Sequence, residues 1–259
     1  MSDNHVTVTI LGSGTCVPSL VRSAPSILVT IGDRQLIFDM GAGTMRRLLE
    51  AGRHINEISH IFFSHLHPDH TGEFVPFIFA SKYPKNRGRN NPITLVGAAG
   101  LADFYDGLKE VYGDWIDLGE GMTDIVELSN SSPDLLSLRS VHIRTLPMAH
   151  IASSIGYRLE TPEGCSLVYT GDTDYDRNVI DLARGADLLI CESAYPDSMK
   201  VAGHLTPSMA GNIASKAQVK HLVLTHLYPE CDHVDLEEEC RKTYNGPLTL
   251  ARDLLEIGL

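Results

Sequence analysis

A chain of 259 residues with 43% hydrophobic content buries one large core or two small ones, which excludes a disordered protein. The formal charge of −12 and a pI near 5.4 exclude a general attraction to polyanions, so nucleic-acid binding would need a local basic patch set against the overall field. Five cysteines (Cys16, Cys165, Cys191, Cys231 and Cys240), scattered and without a C-x-x-C pair, suit reduced thiols better than a disulfide framework. The start "MSDNHVTVTILGSG" lacks a basic segment followed by an apolar stretch, and no run approaches the ~20 apolar residues of a membrane span. The expectation is a soluble, cytoplasmic protein that does not enter the membrane.

Taken in chain order, "VTVTIL", "SILVTI" and "RQLIFD" read as strands, and "GTMRRLLEAG" as a helix closed by Gly52. The runs "HIFFSH", "PITLVG", "DIVELS", "SLRSVHIRTL", "IGYRLE", "CSLVYTGD", "DLLICES" and "KHLVLTH" continue as strands, with helices expected near 98–110, 207–217 and 235–243. Each half opens on hairpin-like strands and then alternates strand with helix. That order predicts two sheets packed face to face with helices outside, a four-layer α/β arrangement, in a single domain over 1–259. No linker, low-complexity segment or short-period repeat interrupts it.

The chemistry gathers at strand ends. "HIFFS" runs directly into "SHLHPDHTGE", where α/β folds commonly place functional groups. Residues two apart in an extended segment point the same way, so His65 and His67 converge on one ion, and the next turn brings Asp69 and His70 to a neighbouring point. Such spacing suits two metals rather than one. Three later residues also follow apolar runs: His150 in "LPMAH", Asp172 in "VYTGDTD" and His226 in "LVLTHLYP". Alone, an Asp in "TGDTD" is most often a turn residue and a His after a strand an ordinary one; their shared placement joins them to the metal set. His5, His54, His60, His142, His221 and His233 lack that placement and read as structural or solvated. Imidazole and carboxylate ligands suit zinc at about 2.0–2.2 Å, and manganese or iron accept the same set. A bridging Asp172 and a shared hydroxide would hold two divalent ions about 3.5–4 Å apart, and hydrolysis is the natural output.

On these residues the chain resembles the metallo-β-lactamase superfamily, whose H-x-H-x-D-H motif stands here as "HLHPDH". Within it the chain looks most like the ribonuclease Z branch, through "LGSGTCVPSLVRSAPSILV", "LIFDMGAGT", "PMAHIASSIGYRLE", "YTGDTDYD", "CESAY" and "GHLTPSMAG" in the same order. The resemblance implies an αββα fold with a dinuclear site at one edge of the sandwich. It implies His65, His67 and His150 on the first metal, Asp69, His70 and His226 on the second, Asp172 between them, and a homodimer. From the residues alone His204 is a loop histidine before a helix, with Thr206 as N-cap and Pro207 in the first turn. In ribonuclease Z-like enzymes a His in this place faces the phosphate and is oriented by a Glu, which corresponds here to Glu192. Catalytic roles therefore fall on His204 as acid, Glu192 as its partner and Asp69 as a group that orients the nucleophilic water. Asp39 in "FDMGAG" would brace a ligand or cap a turn.

The segment 74–101 has no acidic residue but carries Lys82, Lys85, Arg87 and Arg89, and reads as a solvated loop in preference to a phosphate site. Ribonuclease Z proper has a long tRNA-gripping arm between the positions matching His150 and Asp172. Here 21 residues separate them, enough for two strands and the turn "TPEG". The expected activity is a phosphodiesterase acting on a small phosphodiester, a cyclic nucleotide or a short RNA. The alternatives are a lactone, thioester or β-lactam hydrolase on the same metal centre, or a true tRNA 3′-end endonuclease. Redox chemistry at a single iron fits poorly with ligands for a second metal, and a non-catalytic module fits poorly with buried histidines and carboxylates, which are costly without partners.

Overall fold

The computed structural model describes residues 5–83, 88–139 and 141–259. Fourteen strands are present among them: β1 (Val6–Gly12), β2 (Ser26–Ile31), β3 (Arg34–Phe38), β4 (Ile58–Phe62), β5 (Ile93–Ala98), β6 (Thr123–Leu128), β7 (Asp134–Leu138), β8 (Val141–Pro147), β9 (Ile155–Glu160), β10 (Ser166–Tyr169), β11 (Leu188–Glu192), β12 (Leu222–Thr225), β13 (Leu248–Leu250) and β14 (Leu255–Gly258). They form two seven-stranded sheets, ordered β14-β1-β2-β3-β4-β5-β6 and β13-β12-β11-β10-β9-β8-β7. Each sheet has antiparallel pairing at one side and parallel pairing at the other, the switch falling at β3 in the first and at β10 in the second.

Side-chain alternation explains the layering. One face of each sheet sends Val8, Ile10, Phe38, Phe62, Ile143, Tyr157, Leu188 and their neighbours into a shared central core. The outer face of the first sheet is covered by α1 (Thr44–Glu50), α3 (Phe74–Lys82) and α4 (Leu101–Tyr112), which bury Leu48, Phe77 and Leu101 against Ile37, Ile61 and Leu95. The second is covered by α5 (Arg177–Ala183), α6 (Pro207–Ala217) and α7 (Leu236–Arg241), through Leu182, Ile213 and Cys240. One further turn, α2 (Pro68–Thr71), belongs to the functional site. The αββα sandwich expected from the sequence is present. No helix among the described residues is long and apolar enough to cross a membrane.

Some expectations need correction. "SLRSVHIRTL" is not one strand but the end of β7 and most of β8, a hairpin in which Leu138 pairs with Val141. Arg139 turns the chain with φ 55, a conformation that ordinary turn residues would have announced and an arginine does not. Among its described residues the basic stretch departs from a solvated loop. Phe74, Phe77 and Ile78 bury one side of α3. Arg89 is itself buried, donating to the carbonyls of Ile58 (2.6 Å) and Ile55, and Lys82 donates to the Asp114 carbonyl. Burial brings the Arg89 guanidinium down to about 10. Lys85 and Arg87 lie outside the described residues. The helices α3 and α5 were not anticipated, because their apolar positions do not repeat with a clean helical period.

Candidate metal centre

The C-terminal ends of the strands converge at one edge of the sandwich. After β4 the chain bends at Ser64 and runs without regular structure to His67, and the Ile155 N–H donates to the Ser64 carbonyl (2.9 Å), tying the two sheets together. Pro68 then starts α2, whose single turn carries Asp69 and His70 inward. This short helix replaces the loop expected for the motif. The second sheet supplies His150 beyond β8, Asp172 beyond β10 and His226 immediately after β12. His226 (φ 58) and Asp39 (φ 59), each following a strand, hold the left-handed conformation that non-glycine residues rarely adopt. Strain of this kind, of order 1–3 kcal/mol each, gathers where geometry is imposed for function.

Among the described residues three groups of ligand atoms result: His65, His67, His150 and Asp172; Asp69, His70 and His226; and Asp172, His204 and His226. The first two contain the ligands expected from the sequence, with Asp172 between them. In the first, His67 Nδ1 lies 3.0 Å from His65 Nε2 and 3.2 Å from His150 Nε2. The edge of a tetrahedron with Zn–N bonds of 2.0–2.1 Å is about 3.3 Å, so these three nitrogens sit at the spacing one ion would impose. Asp172 Oδ2 is 3.8 Å from both His65 Nε2 and His150 Nε2. In the second, Asp172 Oδ1 is 3.3 Å from His70 Nε2 and 3.4 Å from His226 Nε2, and Asp69 Oδ2 is 3.6 Å from His226 Nε2 and 3.9 Å from His70 Nε2. One oxygen of Asp172 thus faces each group. His70 Nε2, His226 Nε2 and Asp172 Oδ1 are buried and have no hydrogen-bond partner, a cost that a cation at their meeting point would remove.

The far sides of His70 and His150 are held in place. His70 Nδ1 donates to Asp39 Oδ2 (2.7 Å), and Asp39 also accepts from the Ser64 N–H, the Ser64 hydroxyl and the Tyr169 hydroxyl, each at 2.7 Å. Of the two roles weighed for Asp39, the brace is the one its contacts fit. His150 Nδ1 donates to the Gly203 carbonyl (2.9 Å). Gly203 has φ +85, and a Cβ there would lie 3.1 Å from His150 Nδ1, so a side chain would press on that ring. Partners of this kind set which nitrogen of an imidazole is free to bind. Ser64, Tyr169 and Gly203 were missed at the sequence level; their contacts are non-local and leave no local pattern.

Burial, reinforced by the neighbouring imidazoles, pushes His65 down to about 2, so its ring stays neutral and able to ligate. For Asp69 burial acts the other way but is outweighed by His226 and His70, which hold the carboxyl down to about 2. Asp172 is likewise driven well below its ordinary range by His226 and His70 despite its burial. His70 is fully enclosed, yet Asp172 and Asp39 overcome that burial and draw positive charge toward it. The carboxylates therefore call for a cation, and the residues present fit divalent metal.

His204 belongs to neither of the first two groups and meets Asp172 and His226 in the third. Its Nδ1 is 3.0 Å from Glu192 Oε1 and 3.9 Å from Asp172 Oδ2. Glu192, 1% exposed, also accepts from the N–H groups of Thr173 (2.8 Å), Leu205 (3.1 Å) and Ala194 (3.2 Å). Burial disfavours a charged His204, but the hydrogen bond and charge of Glu192, with Asp172 and Asp69 beyond, raise its pKa overall. Thr206 takes the N-cap position of α6 without a side-chain capping bond; Asp197 accepts from the Ser208 N–H instead (3.1 Å). The remaining histidines follow the structural reading where their contacts are seen: His54 caps a turn through Asn56, and His221 bonds Thr249.

A sandwich of two mixed sheets with a histidine–carboxylate cluster at the strand ends defines a class of metal-dependent hydrolytic folds. The chain belongs to the β-lactamase superfamily: the model described as "Beta-lactamase superfamily domain" matches residues 34–227. It is 30% identical to the uncharacterized protein Rv1339 of Mycobacterium tuberculosis, over 94% of this chain and 88% of the other. It is 27% identical to the ribonuclease Z of Prochlorococcus marinus, over 97% of this chain and 98% of that one. Among solved structures, the metallo-β-lactamase fold protein YhfI of Bacillus subtilis superposes with a TM-score of 0.85 at 23% identity, covering 99% of this chain and all of that one.

Proposed function

We propose that the protein is a dinuclear metal-dependent phosphodiesterase for a small phosphodiester, within one domain spanning 1–259. His65, His67 and His150 would hold one ion, and Asp69, His70 and His226 the other. The observation that carries this reading is the division of Asp172, whose Oδ2 faces the first nitrogen set and whose Oδ1 faces the second. Zinc suits the donors, with manganese or iron as acceptable substitutes. Bound there, the ions would polarise a phosphoryl oxygen and lower the pKa of water to the neutral range.

The chain's own residues supply the rest. Glu192 holds the Nδ1 proton of His204, which leaves Nε2 to carry the proton that passes to the leaving oxygen. Three backbone N–H groups keep that carboxylate fixed, so the imidazole keeps its orientation through the reaction. Asp69, beside His226 and His70, is assigned a second role in orienting the nucleophile.

Substrate size is read from chain length. Between His150 and Asp172 the structure has only β9, a turn and β10. The ribonuclease Z alignment runs over 314 positions, so at least 55 of them have no counterpart in this 259-residue chain. With a net charge of −12, little remains to grip a folded RNA through its phosphates. The test is metal analysis joined to a substrate panel of bis-p-nitrophenyl phosphate, cyclic nucleotides, unprocessed tRNA, lactones and thioesters. Two divalent ions per chain and turnover of the small phosphodiesters are expected. Turnover confined to carboxylic esters would overturn the reading, and efficient cleavage of unprocessed tRNA would overturn the size argument.

A further inference from the structure

Two tyrosines border His204 from segments that match in position, Tyr195 three residues past β11 and Tyr228 three residues past β12. Their rings stack, with centroids 4.4 Å apart and planes 19° apart. The His204 ring meets both edge-on, 6.3 Å from Tyr195 at 68° and 6.4 Å from Tyr228 at 70°. Tyr228 meets His226 in the same manner, at 5.9 Å and 71°. The Tyr228 N–H donates to the Ala194 carbonyl (3.2 Å), which locks the two segments together. The Tyr228 hydroxyl lies 3.5 Å from Cys16 Sγ, and Cys16 lines a cavity of about 520 Å³ together with Asp69. The stack therefore lies against His204 and His226, and the Tyr228 hydroxyl reaches toward the cavity that Cys16 and Asp69 line. Both tyrosines are half-buried, so part of each ring is open to solvent.

We infer that the Tyr195–Tyr228 stack is a subsite for a planar leaving group, a nucleobase or an aryl ring, held beyond the oxygen that His204 protonates. The inference rests on the phosphodiesterase reading and narrows it. In the hydrolysis water adds to phosphorus, the bond from phosphorus to the leaving oxygen breaks, and the His204 proton goes to that oxygen. Whatever the oxygen carries then projects past His204 toward the tyrosines. Stacking tolerates any flat ring, because each has a π face to offer.

The experiment uses the metal-loaded enzyme turning over bis-p-nitrophenyl phosphate, with adenosine 5′-monophosphate and ribose 5-phosphate as competing inhibitors. The unsubstituted enzyme should bind the nucleotide about tenfold more tightly than the sugar phosphate, the range of one base stacked on an aromatic side chain. Tyr195→Leu and Tyr228→Leu should bring that ratio toward one, leave ribose 5-phosphate inhibition and metal content unchanged, and raise KM with little effect on kcat. Tyr228→Phe should keep the ratio. A ratio near one in the unsubstituted enzyme, or one unaltered in both leucine variants, overturns the subsite. Absence of any phosphodiester turnover overturns the functional reading instead, so the two failures are distinguishable.

Discussion

Each half of the molecule has a buried carboxylate near a strand end that holds the Nδ1 of a histidine, and the two histidines stand in different surroundings. Asp39 follows β3 and gathers four donors, one of which is the imidazole of His70. Glu192 ends β11 and also gathers four, one of which is the imidazole of His204. In the first half the braced ring turns its free nitrogen to Asp172, within the candidate metal centre. In the second it belongs to the histidine we assign to proton transfer. In the proposed mechanism the same device, a buried acid holding Nδ1, would serve metal affinity on one side and proton delivery on the other. The halves also differ in how they supply the candidate ligands, since the first offers four within six residues and the second one after each of three strands.

The comparison can be broken by experiment. Stripping the metals with a chelator should lower phosphodiester turnover by about 10³ or more, with recovery on adding zinc or manganese. His204→Ala should cost about 10²–10⁴ in turnover while metal content, read by elemental analysis, stays unchanged. Asp39→Ala should weaken metal binding by about 10–100-fold in a chelator competition, because His70 loses its orienting acceptor. Metal loss in the His204 variant, or none in the Asp39 variant, would erase the division of labour.

Glu192→Gln has a smaller expected effect and a defined sign. Glu192 raises the pKa of His204, and a general acid works only while protonated, so activity is lost as pH rises through that pKa. Removing the negative charge lowers the pKa, and the alkaline limb of the pH profile should move to lower pH. At a pH above both limbs each unit of displacement costs about tenfold in turnover, with metal content retained. The smallest effect is expected of Lys82→Ala, whose ammonium is engaged by the Asp114 carbonyl; turnover should stay within roughly twofold.

The helix propensities and apolar runs were enough to place α4, α6, α7 and most strands, and the sandwich followed from their order. Elsewhere tertiary context overrides the local pattern. Arg139 turns a hairpin without a turn residue, and α3 hides its period by being apolar on nearly every side, with a phenylalanine left exposed beside a buried one. The basic stretch looked solvated because composition does not reveal that Arg89 lies buried beneath two backbone carbonyls.

The candidate site divides along the same line. His65, His67, Asp69 and His70 were legible because their convergence is local, two extended residues followed by one helical turn. His150, Asp172 and His226 could be nominated by their place after strands, but only the register of the second sheet turns one oxygen of Asp172 to each group. Glu192 and His204 are 12 residues apart, and Asp39 and Tyr169 are 130 apart. Such pairs answer to distance in space rather than along the chain. Short-range geometry is written into residue spacing, whereas the partners that hold an imidazole in place are chosen by which strand ends the folded sheets bring together.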